Sequence, residues 1–448
     1  MELIIKGKYT DAVMFADTVE EGVYSQVYDI VNCRAFEGKK VRLMPDVHVG
    51  ASGPCGLVAE IGDWICPNHI GVDIGCSVSM LTFDGRLSEA DLPLFEHRVK
   101  KEIPMGFNIN DRTVVNTREF LQHIAASFRV AKSIWPERLS GLPNSVDERW
   151  ITKTLQRIGM DEGVFWKSLG TIGGGNHFIE YGEIEGQENA SAVTFHFGSR
   201  NFGVKVCKHW MKQTAVPMTK DEIKDITAAL REIWCRQNNG NMVGFKEHLK
   251  NKLAEAQSQF IKGYLTGEAM NGYLCDMVFA QAYAEFNHMT VRGIISKIAS
   301  KFGMKPVQHI MCTHNYIDMN DHLIRKSSIS AHYGETILVP MNMRDGTAVC
   351  MGRGNDNWLN SCCHGAGRKM SRSEAKRTIT MDEFKSSMEG IVSTSVTKET
   401  IDESPMAYKD TSEILDLIKD TADILFVVKP KISWKASEVD PRTKEMEE

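Results

Sequence analysis

An acid and a thiol stand three positions apart in Gly71-Val72-Asp73-Ile74-Gly75-Cys76-Ser77, with glycines around them. A tight turn at that spacing points both groups toward one ion, and a thiolate can bridge two cations, so Asp-x-x-Cys is a workable core for a binuclear site. Taken alone, the better reading is a turn Asp capping its own backbone beside a buried Cys. Other loops change the balance. Gly173-Gly174-Gly175-Asn176-His177-Phe178-Ile179-Glu180 sets a triple glycine, through which backbone N–H groups can approach phosphate oxygens, directly before an Asn, a His and a Glu. His196-Phe197-Gly198-Ser199-Arg200 follows the β-prone Ala192-Val193-Thr194-Phe195, so His196 is expected at a strand end beside an arginine suited to bidentate phosphate contact. His314-Asn315 also emerges from β-prone residues. Any one of these histidines is ordinarily a satisfied core or surface group. Four polar sites at strand-to-loop transitions, each flanked by Gly, Asn, Arg or acid, argue instead for one shared metal and phosphate site. One thiolate, three imidazoles and a carboxylate suit zinc, manganese or iron, with raw affinity favouring zinc.

His364 is of another kind. It precedes Gly365-Ala366-Gly367, small residues that leave room for a nucleotide phosphate, with Arg368 just beyond. Ser371-Arg372-Ser373-Glu374 reads as a capped helix start, and a helix N-terminus with Arg368 favours an anion. A histidine facing a polyphosphate serves as general acid, ligand or nucleophile, and spacing does not choose among these.

The elements that must hold these residues are short strands and long helices. Val41–Met44, Gly56–Ile61 and Ser77–Phe83 alternate with Gly/Pro/Asp loops and read as strands. Asp221–Trp234, Phe245–Tyr264 and Met270–Lys301 carry apolar residues at three- and four-residue spacing and read as helices, a helical insertion over about 219–302. Strands return at His309–His314 and Thr336–Pro340, a helix is expected over Ser371–Lys376, and Asp423–Val428 gives a final strand before Lys429-Pro430. The expectation is a mixed-sheet α+β fold, one catalytic unit over 1–448.

With 448 residues, 42% hydrophobic and 25% charged, the chain has material for a large core, which sets aside disordered and fibrous classes. A net charge of −5 argues against a basic nucleic-acid coat, so an RNA partner would be held by a local Arg/Lys cluster. No stretch approaches a membrane span and the start lacks a secretory pattern, so a cytoplasmic protein without membrane contact is expected. Eleven cysteines, an odd number mixed with histidines and acids, fit reduced thiols and metal chemistry.

Read together and in order, these motifs resemble the RtcB family of RNA ligases over most of the chain. Met44-Pro45-Asp46-Val47-His48-Val49-Gly50 is similar to the family's D-V-H-x-G run, Gly71–Cys76 to its metal turn, and Gly173–Glu180 to its G-G-G-N-H-F-x-E segment. His196–Arg200, His314-Asn315, His364–Arg368 and the stretch Asp402–Asp410 match as well. The resemblance implies one Mn²⁺ on Cys76, His177 and His196, and a second on Asp73, the bridging Cys76 and His314. It makes His364 the nucleophile toward GTP, forming a histidine-linked GMP. It implies nucleotide contacts from Asn176, Glu180, His314, Asn315, Pro340, Met343, Thr347, Gly365, Ala366, Gly367 and Lys435, with Arg200 and Arg368 on nucleotide or RNA phosphates. The implied partners are GTP and RNA with a 2′,3′-cyclic phosphate or 3′-phosphate and a 5′-hydroxyl end, with an activating protein factor as a further candidate.

One loop departs from the family. Where much of it has P-G-S-M-G-x-x-S, this chain has Pro340-Met341-Asn342-Met343-Arg344-Asp345-Gly346-Thr347, larger and charged, which leaves the preference for GTP over ATP open. The pair Cys362-Cys363 reads as packing, with redox sensitivity as the alternative. Two rival functions remain at this level: a binuclear-metal phosphohydrolase, for which His364 has no use, and a non-catalytic RNA-end-binding factor.

Overall fold

The computed structural model describes residues 2–214, 220–258 and 261–436. It is a mixed α/β structure with two large sheets. The first runs in the order Leu3–Lys6, Asp11–Met14, Val41–His48, Cys55–Glu60, Leu323–Lys326, Asn315–Asp318. The second is antiparallel throughout, in the order Lys305–Thr313, Ser77–Asp84, Ala190–Phe197, Phe178–Ile184, Ala422–Lys435, Thr347–Gly352, Thr336–Pro340.

The second sheet is covered on both faces, and the two-residue period of a strand decides what each face carries. Leu81, Phe83, Ile179, Tyr181, Val193, Phe195, Phe197, Ile432 and Trp434 fill one core. Val78, Met80 and Ala192 point the other way, into a second core. Glu180, Thr194, His196, Ser433 and Lys435 alternate with the aromatic set, so that second face turns polar at one end.

The helix Gly267–Ser300 bridges two cores. Met277, Phe279 and Tyr283 pack with Phe120, Ile124 and Phe128 of the helix Thr117–Ile134, while Val291, Ile295 and Ile298 lie against the sheet. Helical residues are not confined to 219–302. Leu92–Glu102, Thr117–Ile134, Glu148–Ile158, Glu162–Lys167 and Arg200–Met211 are helices as well. Of the three helices read from the sequence, the first spans Lys220–Gln237 and the third Gly267–Ser300. The second, expected to reach Tyr264, spans Phe245–Ser258; Thr219 and residues 259–260 lie outside the described residues, and Leu265–Thr266 pairs with Trp64–Ile65. The final strand runs on from Val428 to Lys435, because a bulge between Pro430 and Ile432 lets the proline sit in a central strand without a missing donor breaking the ladder. Among the described residues no helix is long and apolar enough to cross a membrane, and all eleven cysteines are free.

Candidate active site

Four neighbouring strands of the second sheet deliver the metal-type side chains to one edge. Cys76 immediately precedes Ser77, which pairs with Phe197 on one side and Thr313 on the other. His314 follows Thr313, His196 pairs with Phe178, and His177 stands just before Phe178. Adjacent strands lie ~4.8 Å apart, so register alone brings residues distant in sequence to ligand spacing. The Cys76 sulfur lies 3.4 Å from His177 Nε2 and 3.3 Å from His196 Nε2. His196 Nε2 is 3.1 Å from His314 Nε2, and His177 Nε2 is 3.0 Å from Asp73 Oδ2.

Glycines make the room. A Cβ at Gly198 would stand 2.4 Å from Asp73 Oδ1, and one at Gly173 would stand 2.4 Å from His177 Nδ1 and 2.8 Å from Arg200. The helix Gly267–Ser300 pins the loop before Gly173: the Asn287 amide accepts from Gly170 N–H at 2.6 Å and donates to Thr171 O at 3.0 Å.

This donor set fits a metal. The ligand atoms of Cys76, His177 and His196 all lie within 4.8 Å of one another. His196 Nε2 faces both a sulfur and a second Nε2, more partners than one ring nitrogen can satisfy with one proton or one lone pair. Burial, reinforced by the neighbouring imidazoles, holds His196 and His314 well below the ordinary histidine range, so both are neutral, the form that ligates. Burial pushes the Cys76 thiol well up, with Asp73 adding to it, whereas a divalent cation would hold it as thiolate. Burial also opposes ionisation of Asp73, but the His177 hydrogen bond and charge outweigh it and keep the carboxylate low.

His364 reaches the same place from another direction. It follows Ser361–Cys363, which pairs with Ser328–Ser330, and its ring centroid is 4.9 Å from that of His314. Asp46, fully buried in the strand Val41–His48, accepts from His364 Nδ1 at 2.6 Å and from its backbone N–H at 3.2 Å, both on Oδ2. With Nδ1–H committed to the carboxylate, the lone pair is on Nε2. Gly367, at φ +71°, allows this approach: a Cβ there would stand 2.4 Å from the Asp46 carbonyl oxygen. The small residues after His364 thus serve packing against Asp46 and Pro340 as well as cavity space.

A cavity of about 490 Å³ opens beside His364. His196, Asn176, Glu180, Pro340, Met343, Gly365, Ala366, Gly367, Arg368 and Lys435 line it, whereas His314, Asn315 and Thr347 do not. At its far end Lys435 is buried, donates to Glu403 at 2.7 Å, and lies 5.5 Å and 5.7 Å from the Phe178 and Tyr408 ring centroids. Burial opposes its charge, but Glu403 outweighs this and raises it. Glu403 is held well down: burial would raise it, but Lys435, Arg372 and Arg368 prevail. Glu180 accepts from the Ser433 hydroxyl at 2.7 Å, yet burial wins over that bond and over Lys435 and pushes its carboxyl up to about 7.

Other residues grouped with the site lie outside the cavity wall. Arg200 opens the helix Arg200–Met211 at φ +56° and spends its guanidinium on Thr171, Gly106 and Asn108. Asn315 donates to Asp73 O and accepts from Ser327 N–H, bracing the metal turn. Thr347 is buried at the start of Thr347–Gly352. The divergent loop is folded on itself: Asn342 accepts from the N–H groups of Arg344 and Asp345, those two side chains pair, and Thr411 donates to Asp345. Met341, Asn342 and Met343 line the cavity, while Arg344 and Asp345 do not. Cys362 and Cys363 are fully buried in an apolar core. Ser371 caps a helix over Arg372–Thr378. Asp46 and Glu403 lay within quoted motifs but had been given no role; each acts on a partner far away in sequence.

A Cys/His donor cluster at a sheet edge, beside a carboxylate-oriented histidine and a nucleotide-sized cavity, defines a candidate metalloenzyme of phosphoryl chemistry. The chain belongs to the RtcB family: the family described as tRNA-splicing ligase RtcB matches residues 26–436. It is similar to the RNA-splicing ligase RtcB of Escherichia coli strain K12, with 27% identity over 419 residues covering 89% of this chain and 91% of the relative. It is also similar to the RNA-splicing ligase RtcB of Mycobacterium tuberculosis, 25% identical with 83% and 91% covered. The tRNA-splicing ligase RtcB of Archaeoglobus fulgidus is 23% identical, with 84% and 83% covered.

Proposed function

We propose that this chain is a GTP- and manganese-dependent RNA ligase that joins 2′,3′-cyclic phosphate or 3′-phosphate ends to 5′-hydroxyl ends, with the whole chain acting as one catalytic unit. The observation that carries this reading is the Asp46–His364 bond of 2.6 Å, which holds the ring through Nδ1 and leaves Nε2 as the nitrogen available beside the metal-type cluster. Nε2 attacks the α-phosphorus of GTP, the P–N bond forms and pyrophosphate leaves. Asp46 stabilises the positive charge that the ring acquires. Water opens a 2′,3′-cyclic phosphate at its 2′-oxygen to give the 3′-phosphate; the guanylate then passes to the RNA 3′-phosphate, and the 5′-hydroxyl of the second strand displaces GMP. Two Mn²⁺, one on Cys76, His177 and His196 and one on Asp73, Cys76 and His314, would neutralise charge on the phosphate oxygens.

Glu180 and Lys435 would read the guanine edge, and Asn176, Pro340, Met343 and Gly365–Gly367 would contact the rest of the nucleotide. Arg368, already paired with Glu403 and the Asp402 carbonyl, lines the route by which RNA phosphate would enter. The test is incubation with α-labelled GTP and Mn²⁺. The expected result is acid-labile, alkali-stable label on the wild type and none on His364→Ala. Label that survives in that variant removes His364 from the role, and phosphate release without any protein label favours hydrolysis.

A further inference from the structure

A second nucleophile stands in the wall of the cavity. Cys55 opens the strand Cys55–Glu60 and pairs in the ladder with His48, the last residue of Val41–His48. His48 Nδ1 lies 2.8 Å from the Asp46 carbonyl oxygen and donates to it, which turns the other ring nitrogen to the sulfur, with which it hydrogen-bonds. Behind the sulfur, Lys326 is held by the carbonyls of Gly53 and Asn68 at 3.0 Å and 3.3 Å, and Ser327 supplies a further hydrogen bond to the thiol. Gly50 keeps the approach open: a Cβ there would stand 3.1 Å from Sγ. His48, Cys55, Gly50 and Ser327 share the cavity with His364.

The charges facing this pair come from two strands: His48 and Asp46, whose carboxylate is turned to His364, from Val41–His48, and Lys326 from Leu323–Lys326. Burial alone would raise the Cys55 thiol, but the facing imidazole and Lys326 outweigh it and bring it down to about 6. Burial would lower His48, but Cys55 and the Asp46 carbonyl lift it to about 9. A Cys beside an imidazolium and a lysine is the environment in which thiols become nucleophiles.

We propose that Cys55 and His48 form a thiolate–imidazolium pair that captures soft carbon electrophiles, α,β-unsaturated carbonyl compounds, within the cavity that holds His364. Sγ bonds to the β-carbon, the alkene π electrons move to the α-carbon, and that carbon takes the proton of the His48 imidazolium, leaving a thioether and a neutral imidazole. The capture stands on the pair alone. Its consequence, an adduct that excludes nucleotide from the cavity, rests on the function proposed above.

The test is N-ethylmaleimide labelling of the metal-loaded, full-length protein, resolved by peptide mass, from pH 5 to 9. At pH 6 about half of a thiol titrating near 6 is thiolate, against ~0.3% of an ordinary one, and lower nucleophilicity takes back roughly tenfold of that ~160-fold advantage. Cys55 is therefore expected to label ~10-fold faster at pH 6 than Cys33, Cys235 and Cys275, the other partly exposed thiols, with its rate levelling above pH 7. His48→Gln is expected to move the half-point up by more than about one pH unit. A wild-type Cys55 rate within ~2-fold of Cys235 at pH 6, or one still climbing about tenfold per unit through pH 8, overturns the capture whether or not the variant folds. Guanylylation of His364 is expected to fall in step with Cys55 labelling; full guanylylation of labelled protein overturns the block and leaves the capture standing.

Discussion

Replacing Asp46 probes whether His364 is a nucleophile made ready by its neighbour. Two donors of His364, the ring Nδ1 and the backbone N–H, converge on one oxygen of Asp46 at 2.6 Å and 3.2 Å. In Asp46→Asn the amide oxygen keeps that place, since only an acceptor satisfies both donors. What is lost is the negative charge that meets the imidazolium character of the ring as Nε2 bonds to phosphorus. A hydrogen bond to a charged group is worth ~1.5–3 kcal/mol, so guanylylation should slow ~10- to 150-fold. Asp46→Ala removes the acceptor as well, so the ring proton is free to sit on the attacking nitrogen. Loss of tautomer control adds to the loss of charge and takes the deficit to ~10²–10⁴-fold, the scale at which a misoriented catalytic imidazole fails. The assay is single-turnover transfer of α-labelled GMP to protein at saturating GTP and Mn²⁺, with metal content and melting temperature measured on each variant. An Asp46→Asn rate within ~3-fold of wild type, or an Ala variant no slower than the Asn variant, refutes the argument that the carboxylate readies His364.

Other predictions follow from the same geometry. Cys76→Ala is expected to lose both ions, because the bridging sulfur is shared; elemental analysis finding two per chain counts against the bridge. Glu180 keeps its proton to about 7 when folded but only to its ordinary 4.5 when unfolded, so the folded state binds more protons between these values and stability falls as pH rises through that window. Glu180→Gln should flatten the urea midpoint between pH 5 and 8, where wild type loses up to ~3 kcal/mol. Guanine-nucleotide affinity of wild type should rise toward pH 7 and then level, since a guanine edge donates and needs the carboxylate; unchanged affinity from pH 5 to 8 removes Glu180 from that contact. Gly367→Ala should cost ~2–4 kcal/mol in denaturant unfolding, through its positive φ and the Asp46 carbonyl 2.4 Å from the new Cβ, and should slow guanylylation as well.

Much of the site was legible because its residues lie at strand ends whose β-branched and aromatic runs announce themselves. Ser77–Phe83, Ala192–Phe195, His309–His314 and Thr336–Pro340 all fall on or across observed strands, and Cys76, His196 and His314 stand where those runs predicted. The helices between residues 92 and 211 were missed although their signals were present. Asn116, Asp147 and Asp161 cap three of these helices through their side chains, and Gly159 ends one of them at φ +68°. Asp46 was invisible in its role for a different reason: its partner lies 318 positions away, and no local spacing encodes that contact. Arg200 shows the converse. Its type and neighbours suit a phosphate, but carbonyls of Gly106 and Asn108, from a loop far upstream, take its guanidinium. The charge in the divergent loop is likewise cancelled within the loop, Arg344 by Asp345, so the wall it offers a nucleotide is Met341, Asn342 and Met343.

The strand Ala422–Lys435 comes latest in sequence of the seven in its sheet, yet it lies between Phe178–Ile184 and Thr347–Gly352. Translation therefore leaves a gap in the middle of the sheet while about 80 residues are added after Gly352, on the order of ten seconds of synthesis. Until the gap is filled, two inner strands present unpaired edges, the feature most prone to recruit another chain. Lys435 and Ser433, the neighbours of Glu403 and Glu180, arrive with the same strand. A nascent chain thus has its Cys and His cluster before it has the cavity wall that Ser433 and Lys435 complete, so the last-made strand finishes both the sheet and the site.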